Sequence, residues 1–416
     1  MVSVFEAEQI IQAQARSYGR GLVPFESALG RVLAEDIKAD RDLPPCNRVT
    51  MDGIAISYAA FENGIRSFNI KATIAAGDAP VEIENENECV EIMTGGALPD
   101  TTDTVIRYED VDIKNGNATI LTDDIKKGQN LHRKGRDKKQ GDIVATANRV
   151  IDPALVSMAA SVGKSMLLVK QLPKVVIIST GGELVNVAAQ PTDWQVRRSN
   201  NYAVRAVLQQ YGLQADMLHI PDEPEITKEQ ISNCIAQYDV LILSGGVSMG
   251  KFDYVPQALE ELQVTKLFHK VQQRPGKPFW FGKHTNGALV FAFPGNPVST
   301  FMCLHRYFLP WLEASLKQMP NLNSNRIPIP NSQFPIPKLC AILNAAVTFV
   351  APLQYFVQVK LNINEQGQLL ATPMEGNGSG DFANLLDTDA FMELPLERSN
   401  FSKGEVFRIW PFKRII

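Results

Sequence analysis

Apolar positions along the chain recur first at helical spacing, and the residues around them predict where helices begin and end. Ser3 and Glu6 are three residues apart, which is the spacing of a capping box, and an apolar stripe follows them. A second helix is predicted after Asp152, which suits the N-cap, with Pro153 in the first turn and Gly163 as the stop signal. Two stretches of helix are therefore expected, one at each end of the first 163 residues.

Between these helices the apolar residues alternate with polar ones in short runs. Such runs lie at residues 68–74, 90–92 and 118–120, and clusters of Gly, Asn and Asp separate them. Alternation with a period of two is typical of strands with one buried face. We therefore predict a small β-rich module. Because helical material resumes after it, we interpret the module as an insertion into a helical domain.

Continuous apolar runs replace the alternation from residue 174 onwards. They lie at residues 175–178, 240–243 and 288–293, and such runs are typical of strands buried on both faces. A helical stripe that ends at Gly212 lies between the first two runs; its members are Val204, Val207, Leu208 and Tyr211. Strands that alternate with helices predict a parallel, doubly wound α/β sheet.

A Pro- and Asn-rich stretch after Met319 predicts a linker to a final β domain. In that domain Phe356, Gln358 and Lys360 follow a period of two, and residues 406–410 predict a closing strand. The whole pattern thus predicts four domains. They are a helical linking domain at residues 1–43 and 144–172, an inserted β-rich domain at 44–143, an α/β domain at 173–320 and a C-terminal β domain at 321–416.

Composition excludes several classes of protein. A hydrophobic content of 45% and a charged content of 21% are ordinary for a globular protein, and a net charge of −4 offers no basic field to nucleic acid or an anionic membrane. No apolar run approaches the roughly 18 residues that span a bilayer, and no leader pattern precedes the first helix, so we expect a cytoplasmic protein. The five scattered cysteines favour buried packing over disulfides or zinc; they are Cys46, Cys89, Cys234, Cys303 and Cys340.

Three glycine-rich loops follow the three predicted buried strands, at the ends where open parallel sheets bind ligands. Their notable members are Thr180, Gly181 and Glu183 in the first loop, Ser244, Gly245, Gly246, Ser248, Gly250 and Asp253 in the second, and Pro294, Gly295, Asn296 and Ser299 in the third. Glycine lets successive backbone N–H groups approach an anion. Glu183 and Asp253 predict a divalent cation that bridges protein and phosphate. The alternative is that the glycines only form tight turns.

The third loop also predicts a helix end. Asn296 suits an N-cap, which would place Ser299 in the first turn of the helix, where anions are favoured. A fourth loop, at residues 274–278, carries Arg274 and Lys277 around a Pro-Gly turn. Arginine offers a planar fork to an oxyanion and lysine a compact charge. Taken alone, this loop is interpreted more simply as solvated surface charge.

Together with further segments, these loops resemble the signature motifs of the molybdopterin molybdenumtransferase (MoeA) family. The matching segments are SGGVSMGKFD at 244–253, PGKP at 275–278, PGNPVS at 294–299, GRVLAEDI at 30–37, MDG at 51–53, IMTGGALP at 92–99, and GQN at 128–130 with Gly135 and Asp137. They follow the family's order and cover nearly the whole chain. The resemblance implies an elongated four-domain homodimer. Its helical domain would dimerise, its α/β domain would be of the molybdopterin-binding type, and its C-terminal domain would be β-barrel-like.

The resemblance also implies a reaction and its participants. Adenylylated molybdopterin and molybdate would be converted, with Mg²⁺, to molybdenum cofactor and AMP. The site would lie between the α/β domain of one subunit and the inserted and C-terminal domains of the other. Molybdopterin adenylyltransferase and recipient molybdoenzymes or their chaperones are the expected protein partners. Because molybdate is a dianion, its site needs cations and hydroxyl or N–H donors.

Carried over position by position, the family's functional residues fall into three groups. Those expected to act in catalysis are Asp52, Thr94, Asp137, Glu183, Asp222, Asp253 and Lys277, with Glu183 and Asp253 as magnesium ligands. Those expected to bind molybdate are Arg274, Lys277, Pro278, Ser299 and Ser379. Those expected to bind the organic substrate are Thr180, Gly181, Ser244, Gly245, Gly246, Ser248, Gly250, Pro294, Gly295 and Asn296. Glu223 is an alternative to its neighbour Asp222.

The chain departs from the family's usual residues at several positions. Five of them are Ile54 for an aromatic residue, Gly182 and Arg198 for acidic residues, Arg136 for glutamate and Arg274 for lysine. Gln358 aligns with a family arginine that helps to hold molybdate, and strand alternation predicts that Lys360 compensates from the same face. Two function classes follow: an active metal-inserting transferase, and a paralogue that binds molybdopterin or its adenylate as a carrier or partner protein. Adenylyl transfer to molybdopterin is a third interpretation, which accounts for the α/β domain alone.

Overall fold

The computed structural model describes residues 1–247, 254–317, 339–374 and 376–413. The chain forms two compact units. The inserted unit consists of Leu22–Leu29 and Leu33–Leu168, and the main unit of Met1–Gly21, Gly30–Val32 and Val169–Ile416. Most of the linker predicted after Met319 lies outside the described residues.

A six-stranded sheet forms the centre of the inserted unit. In sheet order its strands are Thr104–Arg107, Gly53–Ile56, Glu88–Ile92, Ser67–Ile74, Asn117–Ile120 and Val111–Lys114. The third and fourth of these run parallel, and all other neighbours are antiparallel. The predicted alternation is confirmed in Asn117–Ile120, where Ala118 and Ile120 are buried and Thr119 is exposed. Gly53–Ile56 is instead buried on both faces, because Ile54 packs into one apolar cluster and Ala55 into another.

The other elements of the inserted unit are short. They are the helices Tyr58–Glu62 and Pro153–Ser161, the 3₁₀ turns Phe25–Ser27 and Tyr108–Asp110, and the strands Ile37–Lys38, Arg48–Val49, Leu131–His132 and Ile143–Ala145, with Arg20–Pro24 and Met166–Lys170 at its boundary. The helix predicted after Asp152 is confirmed. The carboxylate of Asp152 accepts the N–H of Leu155 at 2.8 Å, and Gly163 follows the helix with a φ of +70°.

The main unit also has a central six-stranded sheet. Its strands are, in order, Ala215–Ile220, Val175–Thr180, Val240–Ser244, Leu289–Phe293, Trp280–Lys283 and Thr265–His269. The first four run parallel, as predicted, whereas Trp280–Lys283 runs antiparallel to both of its neighbours. The parallel sheet predicted from the three continuous apolar runs is confirmed, and Trp280–Lys283 adds an antiparallel strand that the sequence did not predict. The connections at 270–279 and 284–288 are shorter than the dozen or so residues that a parallel crossover needs.

Alternate residues of the central strands face opposite apolar layers, so the sheet is doubly wound. Val175 and Ile177 belong to one layer, and Val176 and Ile178 to the other. The helices of the first layer are Val4–Gln12, Asn200–Gln210, Pro297–Cys303 and Leu309–Lys317, with the π-helical segment Leu304–Phe308 between the last two; those of the second layer are Pro224–Gln237 and Val255–Glu261. The capping box predicted at the first helix is confirmed.

Strands near the C-terminus close into a barrel. In order they are Gln354–Ile363, Leu369–Pro373, Cys340–Leu343, Val406–Pro411 and Ala390–Leu394, and the last pairs again with the first. The strand Gln273–Arg274 adds to the barrel by pairing in parallel with Gln354–Ile363. The remaining short elements of the main unit are Leu184–Val185, Val196–Arg197, Val347–Thr348, Asn384–Asp387 and Asn400–Phe401.

The strand predicted around Gln358 is confirmed, and it is covered on both faces at this point. Val357 and Val359 belong to the barrel core, and Phe356 packs into the first helical layer of the α/β sheet. Gln358 itself is only 8% exposed.

Among the helices of the described chain, none combines the length and the apolar character needed to cross a membrane.

Candidate functional site

Three neighbouring strands of the main sheet end at one edge, and their glycine loops touch one another there. The N–H of Gly245 donates to the carbonyl of Phe293 at 3.2 Å, which joins the second loop to the third. A Cβ atom on Gly245 would lie 2.8 Å from the carbonyl oxygen of Thr180, and the φ of this residue is +102°. Glycine is therefore required for the loops to pack this closely.

Asn200 ties these loops together. Its side-chain amide donates to the hydroxyl of Ser244 at 2.9 Å and to the carbonyl of Gly295 at 2.7 Å. The hydroxyl of Thr300 adds a bond of 2.7 Å to the carbonyl of Pro294. Neither Asn200 nor Thr300 is among the residues predicted from the sequence. One lies at a helix start and the other inside a helix, so only the fold brings them to the loops.

Thr180 presents a buried polar atom among the loops. Its side chain is 5% exposed, and within the described residues its Oγ1 has no hydrogen-bond partner. A Cβ atom on Gly246 would come within 2.7 Å of this oxygen. A buried hydroxyl without a partner is unfavourable, so its position suits contact with a bound ligand.

Glu183 and Asp222 lie at the rim of the same edge. The carboxylate of Asp222 accepts the N–H of Gly182 at 2.8 Å, and a Cβ atom on Gly181 would lie 2.6 Å from the carboxylate of Glu183. Glu223, the alternative to Asp222, is the N-cap residue of a helix. Of the two neighbours, Asp222 is therefore the one that contacts the first loop.

His219 lies within electrostatic range of these carboxylates. Its Nδ1 is 3.2 Å from the hydroxyl of Ser179. Burial lowers the pKa of His219, the charge of Arg198 lowers it further, and Asp222 and Glu183 act in the opposite direction. Arg198, which stands where the family usually has an acidic residue, thus brings a positive charge to the rim that holds the two carboxylates.

Magnesium fits this rim chemically. Among the described side chains, no group of three His, Cys, Asp or Glu residues is close enough to hold a metal ion, and the predicted ligand Asp253 lies outside them, as do Ser248 and Gly250. Magnesium in proteins commonly uses one or two carboxylates and completes its octahedron with water and phosphate oxygens. The exposed carboxylates of Glu183 and Asp222, beside the glycine loops that the sequence predicts to bind anions, are groups of that kind.

A cavity of about 320 Å³ lies beside the third glycine loop. All five residues predicted to bind the oxyanion line it: Arg274, Lys277, Pro278, Ser299 and Ser379. Pro294 and Asn296 of the third loop line it too, together with Gln273 and Gln358. Two cations and two hydroxyls from three distant parts of the sequence therefore line the same cavity.

The turn that carries the two cations is packed from below. Gly276 has a φ of +89°, and a Cβ atom on it would lie 2.8 Å from the Sγ of Cys303. The guanidinium of Arg274 lies 5.7 Å from the centre of the Phe349 ring, within the range of a cation–π contact. Both contacts restrict where the cations of this turn can lie.

Ser379 is held against the third loop. The side-chain amide of Asn296 donates to its hydroxyl at 2.8 Å, and the N–H of Val298 donates to its carbonyl at 3.2 Å. Asn296 is a helix N-cap residue, as predicted, but its side chain does not cap the helix. Ser299 lies in the first turn and is buried.

Gln358 lines the cavity, so a neutral amide stands among its cations and hydroxyls. Lys360 is absent from the described lining, and its ammonium lies 3.3 Å from the carboxylate of Asp389. The predicted compensation by Lys360 is therefore wrong. The strand is buried on both faces at Gln358 but has reached the surface at Lys360, where Asp389 is the nearer partner.

In the inserted unit, Asp52 and Thr94 form one exposed acidic group. The N–H and the hydroxyl of Thr94 both donate to the same carboxylate oxygen of Asp52, each at 2.6 Å. The hydroxyl bond, followed by the N–H bond, lowers the pKa of Asp52 and so favours its ionised form. A Cβ atom on Gly53 would lie 1.9 Å from the carbonyl oxygen of Ile106, so glycine is needed beside Asp52.

Asp137 belongs to the same unit. Its carboxylate lies 2.9 Å from Nε2 of His132. The strand Leu131–His132 pairs with Arg48–Val49, so the segments that carry Asp137 and Asp52 start from one pair of strands. The inserted unit thus carries three predicted residues, Asp52, Thr94 and Asp137. All the others belong to the main unit.

Three family models match the chain. The one described as "MoeA N-terminal region (domain I and II)" matches residues 2–163. "Probable molybdopterin binding domain" matches residues 176–314, and "MoeA C-terminal region (domain IV)" matches residues 341–412.

Individual relatives are similar over the full length. The molybdopterin molybdenumtransferase of Synechocystis sp. is 37% identical over 410 residues, which cover 98% of this chain and 99% of the relative. That of Haemophilus influenzae is 30% identical over 414 residues, with 97% and 98% covered. A crystal structure of a molybdopterin biosynthesis MoeA protein from Pyrococcus horikosii is 27% identical and superposes with a TM-score of 0.81, covering 100% of both chains.

Proposed function

The chain belongs to the molybdopterin molybdenumtransferase (MoeA) family, and from this premise we propose that it inserts molybdate into adenylylated molybdopterin, releasing AMP and molybdenum cofactor. Membership of the family assigns the chain to molybdenum cofactor biosynthesis as a transferase. The identity of the adenylylated substrate, the release of AMP and the use of magnesium are the parts that we propose.

One observation carries the proposal: the third glycine loop belongs to both clusters of predicted residues. A Cβ atom on Gly295 would lie 3.4 Å from the Cα of Gly245, among the anion-binding loops. Its neighbours Pro294 and Asn296 line the cavity that contains Arg274. A phosphate at the loops and an oxyanion in the cavity would therefore be adjacent. Reaction between the two requires that proximity.

The charges of the cavity suit a tetrahedral dianion. Arg274 and Lys277 supply two positive charges, and Ser299 and Ser379 supply hydroxyl donors. Transfer of a dianion out of water is strongly unfavourable unless such groups compensate for the lost hydration. The backbone N–H groups of the glycine loops would hold the phosphates in the same way. These residues act by binding and orienting both reactants.

Glu183 and Asp222 would hold a magnesium ion, with Asp253 as the further predicted ligand. When bound, magnesium neutralises charge on phosphate oxygens. The N–H of Gly182 orients the carboxylate of Asp222 towards the first loop, so this ligand is held in place by the backbone.

We further propose that the chain acts as a homodimer, and that Asp52, Thr94 and Asp137 act on the same substrate as the main unit. The two bonds from Thr94 keep Asp52 ionised, which suits a role towards a cation or a proton donor. Light scattering of the purified chain tests the assembly. A monomer at working concentration would contradict it.

A paralogue that binds the adenylate without inserting metal is a second candidate, and Gln358 favours it. The family resemblance implies an arginine at this position, yet a neutral amide lines the cavity here and Lys360 is paired with Asp389. One cation fewer would face the dianion. Retention of the family's usual residues at six positions favours the active enzyme; these are Asp52, Thr94, Asp137, Glu183, Asp253 and Lys277.

Purified chain mixed with adenylylated molybdopterin, magnesium and micromolar molybdate separates the two candidates. Molybdate-dependent release of AMP together with active cofactor supports the transferase. Tight binding of the adenylate without molybdate-dependent turnover supports the paralogue. Lys277→Ala should abolish the molybdate dependence, whereas Lys360→Ala, on a lysine outside the described cavity lining, should leave it unchanged.

A further inference from the structure

The turn that carries Arg274 and Lys277 combines exposed cations with a buried backbone. Both side chains are exposed, whereas Pro275 and Gly276 between them are buried. Two like charges on so short a turn repel each other, so their common approach to one oxyanion depends on support from the residues beneath the turn.

Gln273 provides part of that support. It is fully buried, and its side-chain N–H₂ donates to the carbonyl of Gly276 at 3.1 Å, with the Sγ of Cys303 at 3.6 Å. This bond spans the turn from its start to its centre. A buried glutamine is unfavourable unless both ends of its amide are paired, so the carbonyl end of Gln273 also needs a partner.

Tyr307 is that partner. Its hydroxyl donates to the side-chain oxygen of Gln273, and the residue is 1% exposed. Burial raises the pKa of Tyr307, so the hydroxyl remains a protonated donor. Its ring lies 5.2 Å from that of Phe279, which belongs to the first apolar layer of the α/β sheet. The packed layer thereby fixes the position of the donor.

The helical segment that carries Tyr307 is anchored by an ion pair. Arg306, 2% exposed at its side chain, lies 2.7 Å from a carboxylate oxygen of Glu8 and 3.6 Å from one of Glu393. Glu393 also accepts the side-chain amide of Gln354 at 2.7 Å. Because Gln354 pairs with Gln273 in the neighbouring strand, the same network reaches Gln273 from both sides.

From these contacts we infer that Gln273 and Tyr307 are positioning residues, which hold the Arg274–Lys277 turn in the geometry that binds the oxyanion. Both ends of the Gln273 amide are engaged within the protein, so it acts through the turn. This inference rests on the proposed function and deepens it, because it names the residues that set the affinity of the cavity for molybdate.

Tyr307→Phe tests the inference with the removal of one oxygen atom. We expect molybdate affinity, measured by calorimetry on the full chain, to fall about tenfold, since a buried carbonyl loses its donor and the turn relaxes. The KM for molybdate should rise in the same proportion, while the KM for the adenylylated substrate stays the same. A residue that only stabilised the fold would lower the melting temperature without this selective change.

Gln273→Met keeps the test decisive if the first variant folds poorly. It should weaken molybdate binding at least as much, and adding Tyr307→Phe to it should cause no further loss, because the two residues act through one bond. Tyr238→Phe is the matched control. It removes a hydroxyl that bonds Asp216 at 2.7 Å elsewhere in the same domain, and it should leave molybdate binding unchanged.

Two outcomes overturn the inference in distinguishable ways. If the unaltered chain binds molybdate and both variants bind it equally well, Gln273 and Tyr307 have no positioning role and the proposed function stands. If the unaltered chain binds no molybdate at all, the proposed function fails together with the inference.

Discussion

The side-chain amide of Asn296 donates a hydrogen bond of 2.8 Å to the hydroxyl of Ser379, which lies 83 positions further along the chain. The bond joins the third glycine loop of the α/β sheet to the segment that precedes a barrel strand. Asn296 is also the N-cap residue of the helix Pro297–Cys303, although its side chain makes no capping bond. The cavity lined by Arg274 and Lys277 is thus assembled across two folded regions of the main unit.

Ser379→Ala should weaken molybdate binding about fivefold to tenfold, because the cavity loses a hydroxyl and Asn296 loses its partner. Asn296→Ala should have a similar effect. If their bond matters, the double variant should bind only slightly worse than either single variant, with a coupling energy of about 1 kcal/mol by calorimetry. Strictly additive losses would show that each residue acts alone.

Gln358→Arg should strengthen molybdate binding about tenfold, because it adds a third cation to the cavity in which we propose that the dianion binds. Lys360→Ala in the same strand is the control and should have no effect, since Lys360 is paired with Asp389. Equilibrium dialysis with molybdate measures both. Unchanged or weaker binding by the arginine variant would mean that the cavity has adapted to the amide.

Thr94→Val should raise the pKa of Asp52, because the hydroxyl bond is the largest cause of its lowered value. The ionised form of Asp52 is lost as pH falls through this pKa, so the acid limb of turnover should move to higher pH. Carboxyl ¹³C NMR titration measures the shift directly. Thr73→Val, which removes a bond to Glu91, is the control and should leave Asp52 unchanged.

His305 should make the chain less stable in mild acid. Burial lowers its pKa to about 3 in the folded chain, below the value of about 6.5 in an unfolded chain. Above pH 6.5 the ring is neutral in both the folded and the unfolded chain, and the stability of the fold is fully present. As pH falls towards 3, the unfolded chain binds a proton that the folded chain does not, so the free energy of unfolding decreases. Between pH 7.5 and 5 the loss should be about 2 kcal/mol.

His305→Leu removes this titration, so its unfolding free energy should depend less on pH than that of the unaltered chain. Denaturant unfolding at pH 7.5 and at pH 5 provides the comparison. Equal losses in both proteins would show that His305 does not contribute to the acid sensitivity.

Gly53→Ala should destabilise the inserted unit by at least about 3 kcal/mol, because the added Cβ would lie 1.9 Å from a backbone carbonyl oxygen. Gly64→Ala in the same unit is the matched control. Its Cβ would meet nothing within 4 Å, so only the strain of its φ of +93° remains. That strain should cost about 1 kcal/mol. Thermal unfolding of the two variants should therefore differ clearly.

Local patterns were sufficient to predict three of the six strands of the α/β sheet and the helix Asn200–Gln210 that packs on it. The run at 175–178 is apolar at every position, and such a run is stable only with both faces buried, as Val175–Thr180 is. Asp152, Pro153 and Gly163 bound a helix through contacts a few residues apart. Interactions of this kind depend on neighbours in the sequence, so sequence alone reveals them.

The glycine loops and the cation turn could also be recognised from the sequence, because close approach of a backbone to another group demands glycine. Gly245 and Gly276 both have positive φ and would clash if they carried a Cβ atom. The partners of the polar side chains could not be predicted in this way. Lys360 pairs with Asp389, and Asn296 bonds to Ser379. In both cases the nearest partner in space is remote in the chain, so sequence patterns do not reveal it.

The sequence by itself determined the family and the three central parallel strands of the α/β sheet, and it predicted the residues proposed to bind an oxyanion and a phosphate. Only the tertiary structure decided that Arg274, Lys277, Ser299 and Ser379 face one cavity, that Gln358 faces it too, and that Gln273 and Tyr307 lie beneath the turn. The physical reason is that periodicity and turn chemistry are local. The partner of a buried hydrogen bond, in contrast, depends on how distant segments pack.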